Sequence, residues 1–212
     1  MPATFFLKLL RRWRYPGSRL YWERRYASGG GSGSGSEGIL ARYKAAVVNR
    51  FVDERQVRSV VEFGCGDGRQ LLLANYPAYT GLDIAPSAIA RCRALFAGYP
   101  FRRFETYHPD RFDPAGFTAD LALSLEVIFH LTEDAVYESH IRHLFGAADR
   151  YVVIFSSDHP DRSGGIYPHF RSRRFTADVS RLAPGWVLAE HIPNPHRDIS
   201  ISDFFIFQKT GP

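Results

Sequence analysis

A glycine-rich run joined to a downstream carboxylate is the pattern in this sequence that points most directly to chemistry. The run EFGCGDG, Glu62 to Gly68, follows an apolar stretch and precedes a predicted helix, so its glycines let the backbone turn sharply and approach a ligand closely. Asp83 ends the next predicted strand, where a carboxylate can accept hydrogen bonds from both hydroxyls of a ribose. Together these residues predict a nucleoside-binding site.

The spacing of the glycines indicates which kind of nucleoside is bound. Dinucleotide-binding proteins use G-x-G-x-x-G to place a pyrophosphate at a helix N-terminus, whereas Gly64, Gly66 and Gly68 follow G-x-G-x-G. Glu62, two residues before the first glycine, and the carbonyls of the loop can instead accept hydrogen bonds from an ammonium group. The pattern therefore favours a nucleoside with an amino-acid head over a nicotinamide cofactor.

Three short segments resemble those of class I methyltransferases, which use S-adenosylmethionine (SAM). VEFGCGDG is similar to their first motif, GLDIA to their acidic second motif and LSLEV to the end of their fourth strand. The resemblance extends over residues 40–210 and implies a seven-stranded sheet with an antiparallel last strand, together with methyl transfer from SAM. The cofactor is then expected to contact Glu62, Gly64, Cys65, Gly66, Asp83, Ile84, Thr106 and Leu125.

A finer resemblance concerns the acceptor. The segments WERRYASGGGSGSGSEG, SLEVIFHLTED and YPHFRSRRFT resemble those of small actinobacterial sugar O-methyltransferases, including enzymes of the methylmannose polysaccharide pathway. This resemblance implies that the acceptor is a hydroxyl of a sugar or oligosaccharide, such as a mannoside precursor of a methylated polysaccharide.

The hydrophobic pattern beyond Ile39 alternates between strands and helices in the manner of βαβ units. The first strand is predicted at 59–63, the second ends at Asp83, and the others lie at 101–105, 120–125, 150–156, 186–192 and 203–208. Helices are predicted over 37–53, 69–75, 86–96 and 133–145. The connection between the last two strands has no helical pattern, so these strands should pair as an antiparallel hairpin at one edge of the sheet. The predicted fold is α/β, with a Rossmann-like, doubly wound sheet of seven strands.

Candidate catalytic residues lie where the fourth predicted strand ends. Methyl transfer to a hydroxyl needs a base that takes the proton as the oxygen attacks. His130 titrates in the range of such a base, and Glu126 is expected to orient it, to take the proton itself or to bind a metal. Glu126 and Asp158 are also candidate ligands of Mg²⁺. The structural alternatives are a helix-capping role for His130 and a turn role for Asp158.

The predicted acceptor contacts come mainly from the segment that follows the fifth strand. This segment is rich in aromatic, histidine and arginine side chains, which can stack on and hydrogen-bond a polyhydroxyl ligand. The predicted set is Tyr26, Asp158, Tyr167, His169, Arg171 and Arg173. An adenine amine is disfavoured as the acceptor because SLEV replaces the Asn/Asp-Pro-Pro-Tyr sequence, and neither Cys65 nor Cys92 is placed as a thiol nucleophile.

Residues 1–36 are predicted to form two helices and a Gly/Ser-rich lid before a methyltransferase domain over 37–212. The basic amphipathic helix Phe5–Arg14 is expected to pack against the domain or against a second subunit of a homo-oligomer, rather than on an anionic membrane surface. A short helix over Arg19–Tyr26 follows. The run GGGSGSGS at 29–36 has the composition of a mobile lid, and the segment 27–36 is expected to be mobile without ligand and to order when SAM and acceptor bind.

Composition limits the partner and the compartment. The formal charge is +5, but no run of five or six like charges occurs, so a nucleic-acid partner is disfavoured. Two cysteines without zinc or redox spacing, and no apolar stretch of the ~20 residues that span a membrane, favour a soluble cytoplasmic protein. The alternatives are a methyltransferase of another small hydroxylated or carboxylated metabolite, and a SAM-fold module that binds RNA or a partner without catalysis.

Overall fold

A mixed sheet of seven strands organises the part of the chain that the computed structural model describes, residues 15–161 and 167–211. The strand order is β3-β2-β1-β4-β5-β7-β6, and only β7 runs antiparallel to its neighbours β5 and β6. The predicted fold, including the antiparallel hairpin at one edge, is confirmed. The strands are β1 Ser59–Phe63, β2 Ala78–Asp83, β3 Arg102–Thr106, β4 Ala119–Leu125, β5 Ala148–Ser156, β6 Trp186–Ile192 and β7 Asp203–Lys209.

Helices cover both faces of this sheet, as alternating strand and helix patterns require. They are α1 Ser18–Ala27, α2 Gly38–Glu54, α3 Pro86–Leu95, α4 Asp134–Gly146 and α5 Phe175–Leu182. Short 3₁₀ turns lie at Ser34–Ser36, Gln70–Leu73, Pro114–Phe117 and Ile128–His130. The predicted helix at 19–26 is confirmed by α1, whereas the predicted helix Phe5–Arg14 lies outside the described residues.

One helix prediction was wrong and one helix was not predicted, and each difference has a local physical reason. The helix predicted over 69–75 is only a 3₁₀ turn, because the side chain of Asn49 binds the Leu73 carbonyl at 2.9 Å and the Asn75 amide at 3.0 Å, which ends the turn. Helix α5 was missed, although Phe175, Val179 and Leu182 are buried at helical spacing. The helix has only eight residues and directly follows an arginine-rich loop, so its apolar positions are too few to stand out in the sequence.

The carboxyl ends of the central parallel strands meet at one edge of the sheet. β1 lies between β2 and β4, so the connections that leave β1 and β4 turn to opposite sides. The register places Phe63 beside Leu82 and Leu125 beside Phe155, which brings the residues that follow each strand together. Open α/β sheets bind their ligands at this point of divergence.

The N-terminal part of the described chain lies over this edge. The Ser18 amide donates to Glu133 Oε1 at 2.8 Å, and the Ser87 amide at the start of α3 donates to Glu23 at 3.0 Å. Arg91 donates to the Gly30 carbonyl at 2.7 Å. Helix α1 and the segment that follows it are therefore tied to α3 and to the turn after β4.

Candidate active site

A cavity of about 340 Å³ lies between the carboxyl edge of the sheet and the N-terminal segment. Most of the residues predicted from the sequence to form the site line this one cavity. These residues are Tyr26, Glu62, Gly64, Cys65, Gly66, Asp83, Ile84, Leu125, Glu126, His130 and His169. Thr106 pairs with Asp83 in the sheet, but the next residue, Tyr107, lines the cavity instead.

The glycine loop has a backbone that other residues would not adopt. Gly64 and Gly66 have φ values of 86° and 58°, in the left-handed region that favours glycine. A Cβ atom at Gly64 would overlap Val127, and one at Gly66 would overlap the Ser32 hydroxyl. The loop therefore leaves its backbone open to the cavity while other segments pack tightly against it.

Asp83 fixes the glycine loop and retains capacity for a ligand. Its carboxylate accepts hydrogen bonds from the Gly66 and Ala85 amides, each at 2.9 Å. Burial raises the pKa of Asp83 to about 6, although these two amides oppose the shift. Each carboxylate oxygen has a second lone pair, so the side chain can also accept from the hydroxyls of a ribose.

Glu62 supplies a second buried carboxylate beside the loop. The Tyr79 hydroxyl donates to its Oε2 at 2.6 Å. Burial raises the pKa of Glu62 to about 7, and the hydrogen bond from Tyr79 and the charge of Lys44 act in the opposite direction. Because burial destabilises its charged form, a cationic ligand such as an ammonium group would find a favourable partner here.

Glu126 forms an ion pair rather than contacting His130. Its Oε2 lies 2.8 Å from Lys44 Nζ, and the Lys44 side chain is only 1% exposed. In the structure the Glu126 carboxylate thus pairs with Lys44 and does not orient His130, as had been predicted. Glu126 has a φ of 61°, and this unusual backbone turns its side chain towards α2.

His130 is oriented by a main-chain carbonyl. Its Nδ1 lies 2.9 Å from the carbonyl oxygen of His169, so Nδ1 carries the proton and donates, which leaves the Nε2 lone pair available. Burial lowers the pKa of His130 to about 4, and the His169 carbonyl opposes this shift. Near neutral pH the imidazole is therefore uncharged and able to accept a proton.

Four of the predicted acceptor residues lie outside the cavity lining. Asp158 accepts from the Thr176 amide at 3.0 Å and from its hydroxyl at 2.6 Å, in the first turn of α5. Arg171 and Arg173 both pair with Asp134, at 2.8 and 3.0 Å. Tyr167 is 58% exposed. Only Tyr26 and His169 of the predicted acceptor set are brought to the cavity.

The two predicted Mg²⁺ ligands are each engaged by other side chains or backbone groups. Glu126 is paired with Lys44, and Asp158 is engaged by Thr176. Among residues 15–161 and 167–211, no cluster of three or more histidine, cysteine or carboxylate side chains is arranged to hold a metal ion.

Several residues that line the cavity were not predicted from the sequence. Tyr21, Trp22 and Arg25 come from α1, Lys44 from α2, and Phe129 from the turn after β4. Lys44 is the clearest missed signal, because it lies on the apolar face of α2 among Leu40, Ala41, Ala45 and Val48. A lone lysine on a buried face needs an anionic partner.

The Gly/Ser-rich segment closes over the loop in this structure. The Ser32 hydroxyl lies 2.9 Å from Asp67 Oδ1 and 3.1 Å from the Tyr26 hydroxyl. A Cβ atom at Gly35 would overlap the Glu126 carboxylate. The segment predicted as a lid thus contacts both the glycine loop and Glu126, the residue that follows β4.

Part of the chain is similar in sequence to known proteins. Residues 61–148 match the family model described as a methyltransferase domain. Two non-reducing polyketide synthases named mapC are also similar. The protein from Penicillium brevicompactum is 34% identical over 108 residues, which are 45% of this chain and 4% of the synthase. The protein from Penicillium roqueforti is 33% identical over 119 residues, which are 50% of this chain and 5% of the synthase. This chain therefore spans only a small part of the curated relatives it matches.

Solved structures confirm the fold. The N-methyltransferase NodS from Bradyrhizobium japonicum, in complex with S-adenosylhomocysteine (SAH), has a TM-score of 0.70 at 16% identity, covering 92% of this chain and 100% of that one. ChlM, the magnesium protoporphyrin IX methyltransferase from Synechocystis with bound SAM, has a TM-score of 0.67 at 16% identity, with 93% and 99% covered. CalS10, an amino pentose methyltransferase from Micromonospora echinaspora, has a TM-score of 0.62 at 17% identity, with 82% and 93% covered.

Residues 61–148 thus match a methyltransferase domain, and the described part of the chain has the class I methyltransferase fold, as the glycine loop and the strand pattern predicted. SAM, the cofactor predicted from the sequence, is the methyl donor of this class. Within the described ranges, no helix is long and apolar enough to cross a membrane.

We predict that Asp83→Ala weakens SAM binding by about 1–3 kcal/mol, the cost of losing hydrogen bonds to a charged group. In the unmodified protein, SAM affinity should fall as the pH decreases through about 6, because protonation of Asp83 removes its negative charge. Titration calorimetry between pH 5 and 8 measures both effects. The exposed Asp110→Ala is the control, and equal affinities for SAM in the two variants would contradict the assignment.

Asp158→Ala should lower the free energy of unfolding by about 1–2 kcal/mol, since the first turn of α5 loses a side-chain cap. SAM affinity should not change. Urea denaturation and calorimetry, with the exposed Asp198→Ala as the control, test both statements. Unchanged stability combined with altered acceptor or Mg²⁺ dependence would restore the role first predicted for Asp158.

Gly35→Ala should open the Gly/Ser-rich segment, because its Cβ atom would overlap the Glu126 carboxylate. Overpacking typically costs 1–3 kcal/mol, so amide hydrogen exchange over 31–36 should accelerate by about tenfold or more. Gly116→Ala is a matched control, since nothing lies within 4 Å of its Cβ position. Equal exchange in the two variants would show that the segment does not depend on this contact.

Proposed function

We propose that this chain is a SAM-dependent O-methyltransferase that acts on a hydroxyl of a sugar or oligosaccharide. The observation that carries this proposal is the position of His130, which lines the same cavity as Asp83 and the glycine loop and is held at Nδ1 by the His169 carbonyl. The match of residues 61–148 to a methyltransferase domain and the class I fold support it.

The cofactor is proposed to bind across the glycine loop. Its ribose hydroxyls would donate to Asp83, and its ammonium group would lie near Glu62 and the loop carbonyls. Ile84 and Leu125 offer apolar surface from the same side of the cavity. These contacts would give the buried carboxylates of Asp83 and Glu62 hydrogen-bond donors in addition to the few that the protein supplies.

SAM, when bound, supplies an electrophilic methyl group. His130 then has the task of accepting the acceptor proton at Nε2 as the oxygen attacks. A pKa near 4 makes the imidazole a weak base, but it also keeps the base unprotonated throughout the neutral range. The hydrogen bond from Nδ1 to the His169 carbonyl holds the ring in place and stabilises the imidazolium that forms.

Aromatic side chains form the part of the cavity next to His130. The ring centroids of Trp22 and Phe129 lie 4.8 and 4.7 Å from that of His130, and Tyr21 stacks on His169 at 4.9 Å. Such walls suit a ring-shaped acceptor with an apolar face and polar edges. The similarity in fold to an amino pentose methyltransferase is consistent with a sugar acceptor.

His130→Ala should lower kcat by 10²–10⁴-fold, the usual contribution of a general base, while SAM affinity stays within about twofold. At saturating SAM, kcat of the unmodified enzyme should show no inflection near pH 6.5, because the pKa of His130 is lowered to about 4. Turnover of partly methylated mannosides provides the assay, with His108→Ala as the control. Near-normal turnover by His130→Ala would place the base elsewhere.

A further inference from the structure

Arg25 is a cation of the cavity wall that is not paired with any carboxylate of the described residues. Its Nε donates to the Gly31 carbonyl at 2.7 Å, and its guanidinium lies 5.7 Å from the Trp22 ring. Within residues 15–161 and 167–211, its two terminal nitrogens have no hydrogen-bond partner and no carboxylate pairs with it. The sequence has no Asp or Glu in 1–14 or 162–166 that could supply one.

The carboxylates that line the same cavity are already engaged. Glu126 is paired with Lys44, Asp83 accepts from two backbone amides, and Glu62 accepts from Tyr79. The pairing with Glu126 also neutralises Lys44, which is the other cationic side chain of the lining. Arg25 therefore leaves an unbalanced positive charge in a partly buried space.

Arg25 faces the reacting region of the cavity. Its guanidinium lies over the Trp22 ring, whose centroid is 4.8 Å from that of His130, and Arg25, His130 and His169 line the same cavity. After larger effects, the charge of Arg25 also contributes to lowering the pKa of both histidines. Its helix also places Tyr26 against the glycine loop. A group bound to Arg25 would thus lie between the loop and the proposed base.

We propose that Arg25 is the anion-binding residue of this cavity and takes a carboxylate or phosphate group of a bound ligand. A planar guanidinium with free terminal nitrogens binds such groups through two parallel hydrogen bonds. This inference rests on the proposed function. Two sources offer the required chemistry: the amino-acid carboxylate of SAM, and an acidic group on the acceptor, as in a uronic acid or a sugar phosphate.

The test is calorimetry on Arg25→Met, with Arg24→Met as a matched control from the exposed face of the same helix. The probes are SAH and 5′-methylthioadenosine, which lacks the amino-acid head. Methyl glucuronoside and methyl glucoside, which differ only by a carboxylate, are titrated at saturating SAH. Loss of a charge-assisted contact should weaken the anionic probe by about ten- to a hundredfold.

Each outcome has a distinct meaning. If Arg25→Met weakens SAH and spares 5′-methylthioadenosine, Arg25 binds the cofactor carboxylate; if it weakens only methyl glucuronoside, Arg25 binds the acceptor. Equal weakening of both nucleosides would mean that Arg25 only anchors the 28–36 segment, and this would overturn the proposal, as would no change with any probe. Because binding is measured without turnover, failure of the proposed methyl transfer would be seen separately.

Discussion

The hydrogen bonds that Asp83 accepts from the Gly66 and Ala85 amides join the glycine loop to the end of β2, and the rest of the site is arranged around this junction. The loop can approach a ligand because Gly64 and Gly66 hold a left-handed backbone. The carboxylate that fixes it is buried, and burial raises its pKa to about 6. A ligand that donates hydrogen bonds to this carboxylate stabilises both its charge and the loop.

On the other side of the cavity, too, a buried charge is stabilised by a partner of opposite charge. Lys44 and Glu126 neutralise each other beneath the Gly/Ser-rich segment, and Gly35 allows that segment to pack on the pair. His130 avoids the cost of a buried charge by remaining neutral. Arg25 departs from this pattern, and this is why a ligand, rather than a protein group, is proposed as its partner.

The sequence was sufficient to predict the sheet and the position of the glycine loop, because both are specified by short-range patterns. The run Glu62 to Gly68 and the apolar strands carry their own periodicity, and the structure agrees with each strand to within about two residues. The roles of Asp158 and Arg173 could not be read in this way. Their partners, Thr176 and Asp134, lie 18 and 39 residues away, so only the folded chain decides whether these side chains face a ligand or cap a helix.

In the proposed mechanism, the cavity between α1 and the carboxyl ends of β1, β2 and β4 binds SAM with the reacting sulfur directed towards His130. The most direct measurement is a crystal structure of the full chain with SAH. We expect the ribose hydroxyls within hydrogen-bond distance of Asp83, the amino-acid head over the glycine loop and the sulfur facing His130 Nε2. A complex in which SAH lies outside this cavity, or in which its ribose does not contact Asp83, would contradict the account.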